Sequence, residues 1–259
     1  MPERSSVPAV DRACNIVELI AANPRGLSLS QLAVALELPK STAHGLVHSL
    51  RVRNYLSYDD TTKTYHLGLR LWELSRAFPF YEELVRLSLP IMRDIVRELN
   101  EITQLAVRDS IYNVYLAKVD CDHPIQLISQ VGKRLYCHAT ALGKVLLAAC
   151  TNEEIDEMYA NISLPRFTPH TITDLSTLKK EIAQCRVQGY AEDHEEYVAG
   201  LRCVAVPLLS QSSEVLAAMS VSLPAPRATP ERLTQALSAL QVGARAFQCR
   251  LMQVDRWEK

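Results

Sequence analysis

Several groups of side chains have the types and spacing for chemistry. Cys203, Asp193 and His194 together suggest a thiol activated by an imidazole and a carboxylate. Yet Cys203 sits between apolar residues in "RCVAVPLL", and a thiol in an apolar strand is most often an inert core group. No G-x-S-x-G elbow and no glycine-rich phosphate loop accompanies it, so enzymatic activity is not expected. Cys121 with His123, and Cys137 with His138, lie near loops. Neither pair has the spacing of a structural zinc site, which takes four tetrahedral ligands. No metal and no cofactor is expected.

Ser220 and Ser222 in "LAAMSVSL" share one face of a strand that would otherwise be core. Two buried hydroxyls need partners. These are either a ligand carboxylate that accepts from both, or backbone and water. The stretch "KSTAHGLVHSL" has a different character. Ala43, Leu46, Val47 and Leu50 form one helix face. Ser41, Thr42, His44 and His48 crowd the other side, around Gly45.

Between Glu37 and Asp59 the chain carries Lys40, His44, His48, Arg51 and Arg53 and no acid. The formal net charge of the whole chain is -1, so this basic window is local. It is an electrostatic footprint for phosphates. Seven cysteines, scattered singly without C-x-x-C, and no signal peptide point to free thiols in a reducing cytoplasm. No apolar run approaches the roughly 20 residues of a membrane span.

The elements that must position these groups follow from periodicity. Residues 9–22 read as an amphipathic helix ended by Pro24 and Gly26. Ser28 and Gln31 form a capping box for a second helix. Pro39 suits the first turn of a third. Residues 55–68 read as a hairpin around a polar turn. Three helices and a hairpin define a winged helix-turn-helix with 40–50 as its recognition helix. Ser41, Thr42, His44 and His48 are then assigned to groove or phosphate contact, Lys63 at the hairpin tip to phosphate, and Tyr65 to packing. Gly45 points outward, either to let the backbone lie close to the DNA or as neutral drift at an exposed site.

Residues 68–79 continue as a helix that Pro79 stops, and a second amphipathic helix follows with a kink at Pro90. After Asn100 the period changes to two. "TQLAVRD", "NVYLAKVD" and "IQLISQV" read as strands, with a loop at 132–139. Helices follow at "TALGKVLLAAC" and "NEEIDEMYA", the second opened by a Thr151–Glu154 capping box. A helix near 176–187, the strands "RCVAVPLL" and "LAAMSVSL", and a helix over 230–252 complete an α+β domain with an antiparallel sheet.

"AVDRACNIVELIA", "GLSLSQLAVALELPKSTAHGLVHSL", "TYHLGLRLWELS", "HATALGKVLLA" and "GYAEDHEEYVAGLRCVAVPL" resemble the blocks of IclR-type bacterial transcriptional regulators, in order and spacing, from about residue 7 to 250. The resemblance implies a winged helix at 7–68, a linker helix at 69–79 and a GAF-like effector-binding domain at 80–254. It implies binding to operator DNA, a homodimer or dimer of dimers, and a small carboxylate effector, a sugar acid by the wording of 192–208. Carried over by position, Asp193, Cys203, Ser220 and Ser222 are the polar pocket residues. Ala141 and Leu142 line the start of the 140–149 helix, with His138 nearby. Family members often carry a long side chain where this chain has Gly45. Repression of a catabolic operon is the first expectation. Activation of one for aromatic or other carboxylates is the second, and a ligand-binding module whose helix-turn-helix contacts protein is a third.

Overall fold

The computed structural model describes residues 7–123 and 130–253. The chain divides at Pro79 into two compact units.

The first unit holds α1 (Pro8–Ala21), α2 (Leu29–Ala35), α3 (Lys40–Val52), β1 (Leu56–Asp59), β2 (Thr64–Leu67) and α4 (Leu69–Ser75). Ile16 and Ile20 of α1, Leu32 of α2, Val47 of α3 and Leu56 of β1 form its core. The Ser28–Gln31 box closes as the spacing predicts. The Gln31 amide donates to Ser28 Oγ, and the Ser28 amide donates to Gln31 Oε1 at 2.8 Å. Pro39 stands one place earlier than expected, at the N-cap of α3 in extended conformation. β1 and β2 form the antiparallel wing, and Leu27 adds a bridge to Tyr65.

Pro79 does not stop a helix. α4 ends at Ser75, and Pro79 opens α5 (Pro79–Leu99), where a proline's missing N–H costs nothing. α5 runs on through Pro90. β3 (Ile102–Asp109), β4 (Tyr112–Val119), β5 (Arg134–Tyr136), β6 (Ala191–His194), β7 (Leu201–Leu209) and β8 (Val215–Pro224) form an antiparallel sheet in the order β5-β4-β3-β8-β7-β6. β5 falls in the expected loop at 132–139, and β6 in an acidic stretch, "AEDHEE", for which no strand is expected. The strand expected at "IQLISQV" lies mostly outside the described residues. α6 (Ala141–Leu147), α7 (Asn152–Tyr159), α8 (Leu175–Gln188) and α9 (Pro230–Leu251) complete the unit.

Strand alternation gives the sheet two different faces. Leu105, Val107, Val204, Val206, Met219 and Val221 pack against α5 and α9. Ala106, Ala205 and Ala218 face α6 through Ala141, Leu142 and Val145. The alanines let α6 sit close to the sheet. Gly143 brings the same helix against the turn before it, because a Cβ there would collide with the Cys137 backbone. Gly143→Ala is expected to destabilise the protein by about 1–3 kcal/mol, the usual cost of overpacking. Urea unfolding measures it, and equal midpoints for the two proteins would refute the close approach.

Candidate functional site

In the first unit, α3 presents the expected polar face. Lys40, Ser41, His44, Gly45, His48, Arg51 and Arg53 are exposed, and Thr42 is half-buried. The His44 and His48 rings stack with centroids 6.3 Å apart. No heavy atom lies within 4 Å of a Cβ built on Gly45, so packing does not require glycine there. The Arg51 guanidinium lies 5.9 Å from the centre of the Tyr58 ring on the wing. Tyr65 packs against Tyr58. Lys63 occupies the wing turn at φ 57. Its ammonium is 3.8 Å from Asp60, an exposed pair that costs little to open toward a phosphate.

In the second unit, a cavity of about 390 Å³ opens on the α6 face of the sheet. Its floor is a row of polar side chains set by strand register. Gln104 on β3 pairs with Ser220 on β8, Ser222 pairs with Cys203 on β7, and Cys203 pairs with Asp193 on β6. The Ser220 and Ser222 hydroxyls both donate to Gln104 Oε1, at 3.0 and 2.9 Å. Their partner is thus a side chain, where ligand, backbone or water was expected. Cys203 Sγ lies 3.1 Å from Ser222 Oγ. Ala141 and Leu142 supply the α6 wall, Thr140 caps that helix, and Tyr115, Lys133, Leu135, Tyr197, Val198 and Leu201 complete the lining.

His138 does not line this cavity. The turn Cys137–Ala139 directs it into the interior, where Nε2 meets Pro165 O at 3.0 Å. Burial lowers its pKa, so the neutral ring donates Nε2–H there. The thiol-triad reading fails as well. Asp193 points into the cavity, while the next residue, His194, points outward to Arg202 at 2.8 Å. Burial pushes the Cys203 thiol well up, which leaves it a poor nucleophile.

The turn between β6 and β7 forms a further wall. Asp193 is 3 % exposed, and burial raises its carboxyl to about 7 against the pull of the Glu196 N–H, 2.7 Å from Oδ1. Thr171 Oγ1 donates to Glu196 O at 2.6 Å and Thr168 Oγ1 to Glu195 O at 2.7 Å. Lys144 of α6, 1 % exposed, reaches Glu196 Oε1 at 2.7 Å and Glu181 Oε2 at 3.6 Å. Sequence reasoning missed Gln104, Tyr115, Lys144, Glu196 and Tyr197. A signal existed for two of them. Gln104 interrupts the apolar alternation of its strand, and Lys144 is the lone charge in "ALGKVLLAA".

A winged helix with an acid-free recognition helix, in one chain with a second domain that holds a cavity with a polar floor, is the architecture of a DNA-binding regulator. Comparison with known proteins makes this specific. The family model for the IclR helix-turn-helix domain matches residues 9–60, and that for the bacterial transcriptional regulator IclR C-terminal region matches residues 81–248. The chain belongs to the IclR family of DNA-binding transcriptional regulators, whose members it matches are regulators and not enzymes. It is 31 % identical to the HTH-type transcriptional repressor AllR of Salmonella paratyphi A, over 86 % of this chain and 82 % of that one. It is 30 % identical to the HTH-type transcriptional regulator KdgR of Escherichia coli K12, over 95 % and 93 %. A crystal structure of an IclR homologue from Microbacterium hydrocarbonoxydans complexed with 4-hydroxybenzoate superposes with a TM-score of 0.82 at 26 % identity, covering 95 % of this chain and all of that one.

Lys144→Met leaves Glu196 buried without its cation. The expected loss is about 3–5 kcal/mol of stability, the scale for breaking a buried pair from one side. Denaturant unfolding followed by Tyr197-region hydrogen exchange measures it, and an unchanged stability would show that water satisfies Glu196.

Proposed function

We propose that this regulator represses a catabolic operon in the cytoplasm and is released from its operator by a small organic acid of the sugar-acid type bound in the α6-side cavity. The observation that carries the reading is the polar row Gln104–Ser220–Ser222–Cys203–Asp193 at the floor of an otherwise apolar cavity. Its volume falls in the usual range of about 300–1,000 Å³ for ligand sites. Among the described residues no helix is long and apolar enough to cross a membrane, which suits a protein that reaches DNA.

The DNA contacts are those of the winged helix. Ser41, Thr42, His44, Gly45 and His48 face the groove, while Lys40, Arg51, Arg53 and Lys63 take phosphates. The protein binds as a homodimer or dimer of dimers, because two-fold protein symmetry matches two half-sites. The effector acts through its differential affinity for the operator-competent and released arrangements. Its carboxylate is held among Ser220, Ser222, Cys203 and Asp193, with Ala141 and Leu142 against its apolar part. A repressor among the matched relatives favours repression, and the homologue complexed with 4-hydroxybenzoate keeps aromatic acids among the candidate ligands.

Duplexes selected from a random pool test the first half. Affinity should fall steeply between roughly 50 and 200 mM salt, and replacing Arg51 and Arg53 by alanine should reduce the slope of log affinity on log salt by about 2 for each DNA-bound protomer, hence about 4 for a dimer. Fluorescence anisotropy reads both, and salt-independent binding would favour a protein partner for the winged helix. Ser220→Ala with Ser222→Ala tests the second half. The double variant should lose the response to carboxylates while its ligand-free operator affinity stays nearly intact. Calorimetry with a carboxylate panel decides, since unchanged affinity would move the site elsewhere.

A further inference from the structure

A carboxylate that enters the cavity meets a buried acid already there. The charged and titratable groups facing Asp193 can be counted. From its own turn come Glu196 and Tyr197, from β7 Cys203, from β4 Tyr115, and from α6 Lys144. Lys144 is committed to Glu196 at 2.7 Å and has Glu181 of α8 at 3.6 Å. Lys133 lines the open side and is exposed to solvent. The neighbouring His194 faces away, toward Arg202 and Glu192. Burial raises the Cys203 thiol and the Tyr115 and Tyr197 phenols, so all three stay neutral.

The balance is unfavourable to an ionised Asp193. One buried cation already faces one buried carboxylate. An ionised Asp193 leaves one negative charge uncompensated, and an incoming carboxylate makes it two, in an environment that screens poorly. A single proton removes the conflict. Oδ1 of Asp193 accepts the Glu196 N–H at 2.7 Å, and the Tyr197 N–H and the Cys203 side chain also bond to the carboxyl. A proton carried on Oδ2, the oxygen away from the Glu196 N–H, is the one donated to an entering carboxylate. An O–H···O⁻ bond of this kind is among the stronger hydrogen bonds.

We propose that Asp193 acts as a neutral acid toward the effector, so that the cavity takes a monocarboxylate together with one proton. This rests on the effector-site reading above and specifies the class of acid. A dicarboxylate brings a second charge, and the buried cation near the site, Lys144, is already paired with Glu196. The proton is within easy reach, because burial holds the ligand-free carboxyl at about 7. The sign follows from linkage. Below about pH 7 the proton is already bound and affinity is flat. Above it the proton must be taken up on binding, and affinity falls about tenfold per pH unit.

The test is calorimetry on the full chain with D-gluconate, pyruvate and 4-hydroxybenzoate, each beside a dicarboxylate (glucarate, malonate, terephthalate), in paired buffers of different ionisation heat. These monoacids are ionised throughout the range, since carboxyls titrate near about 4. The expected result is close to one proton taken up per ligand at about pH 8.5, almost none at about pH 6, and an affinity loss of about 50-fold from pH 7 to 9. Asp193→Asn, whose amide donates at every pH and keeps the acceptor for Glu196, should bind with no pH dependence over the same range. Binding without proton uptake at high pH, or a wild-type pH profile in Asp193→Asn, overturns the proposal and leaves the effector site standing. Should the variant fail to fold, the wild-type proton count decides alone. If none of the acids binds the wild-type chain at any pH, the effector-site reading fails and the proposal falls with it.

Discussion

The buried pair of Lys144 and Glu196 is the interaction on which the second unit's cavity depends. Both partners are out of water, and a charge in that position is tolerated only with its counter-charge at hydrogen-bond distance. The pair joins α6, whose first turn walls the cavity, to the β6–β7 turn, which walls it from the other side. The same turn is held by the hydroxyls of Thr168 and Thr171 on its carbonyls. Tyr197 and Val198, the residues it projects over the cavity, are therefore carried by a fixed frame. Asp193 at the base of that turn has no cation of its own, because the one nearby is spent on Glu196.

Where the determinants were local, the sequence disclosed the structure. The Ser28–Gln31 and Thr151–Glu154 boxes mark their helices because a cap is satisfied within three residues. β3, β4, β7 and β8 were legible because a two-faced strand must alternate. β5 and β6 were not, being short edge strands whose residues look like loop. "AEDH" becomes a strand only because β7 offers it a partner. Pro79 was misplaced because a proline that ends one helix and a proline that begins the next look alike until the break at Ser75 is seen.

The site shows the same division. The alternation at Ser220 and Ser222 revealed a polar face, and the positions carried from the family added Cys203 and Asp193. The partner of both serines stood 116 and 118 residues away, on β3, and no local pattern names it. His138 was assigned by its nearness in sequence to α6. One turn of tight helix aims its ring at Pro165 instead. On the DNA side local reasoning went further, since exposure along α3 follows directly from helical period.

The alternation of β8 has a consequence for how such a protein changes over time. Met219, Val221 and Leu223 are held by the core beneath the sheet, while Ser220 and Ser222 face the cavity. Substitutions on the second set alter what the cavity recognises without entering the packing of the first. A lineage can therefore explore new ligands one residue at a time along a single strand, keeping its fold and its DNA-reading half as inherited.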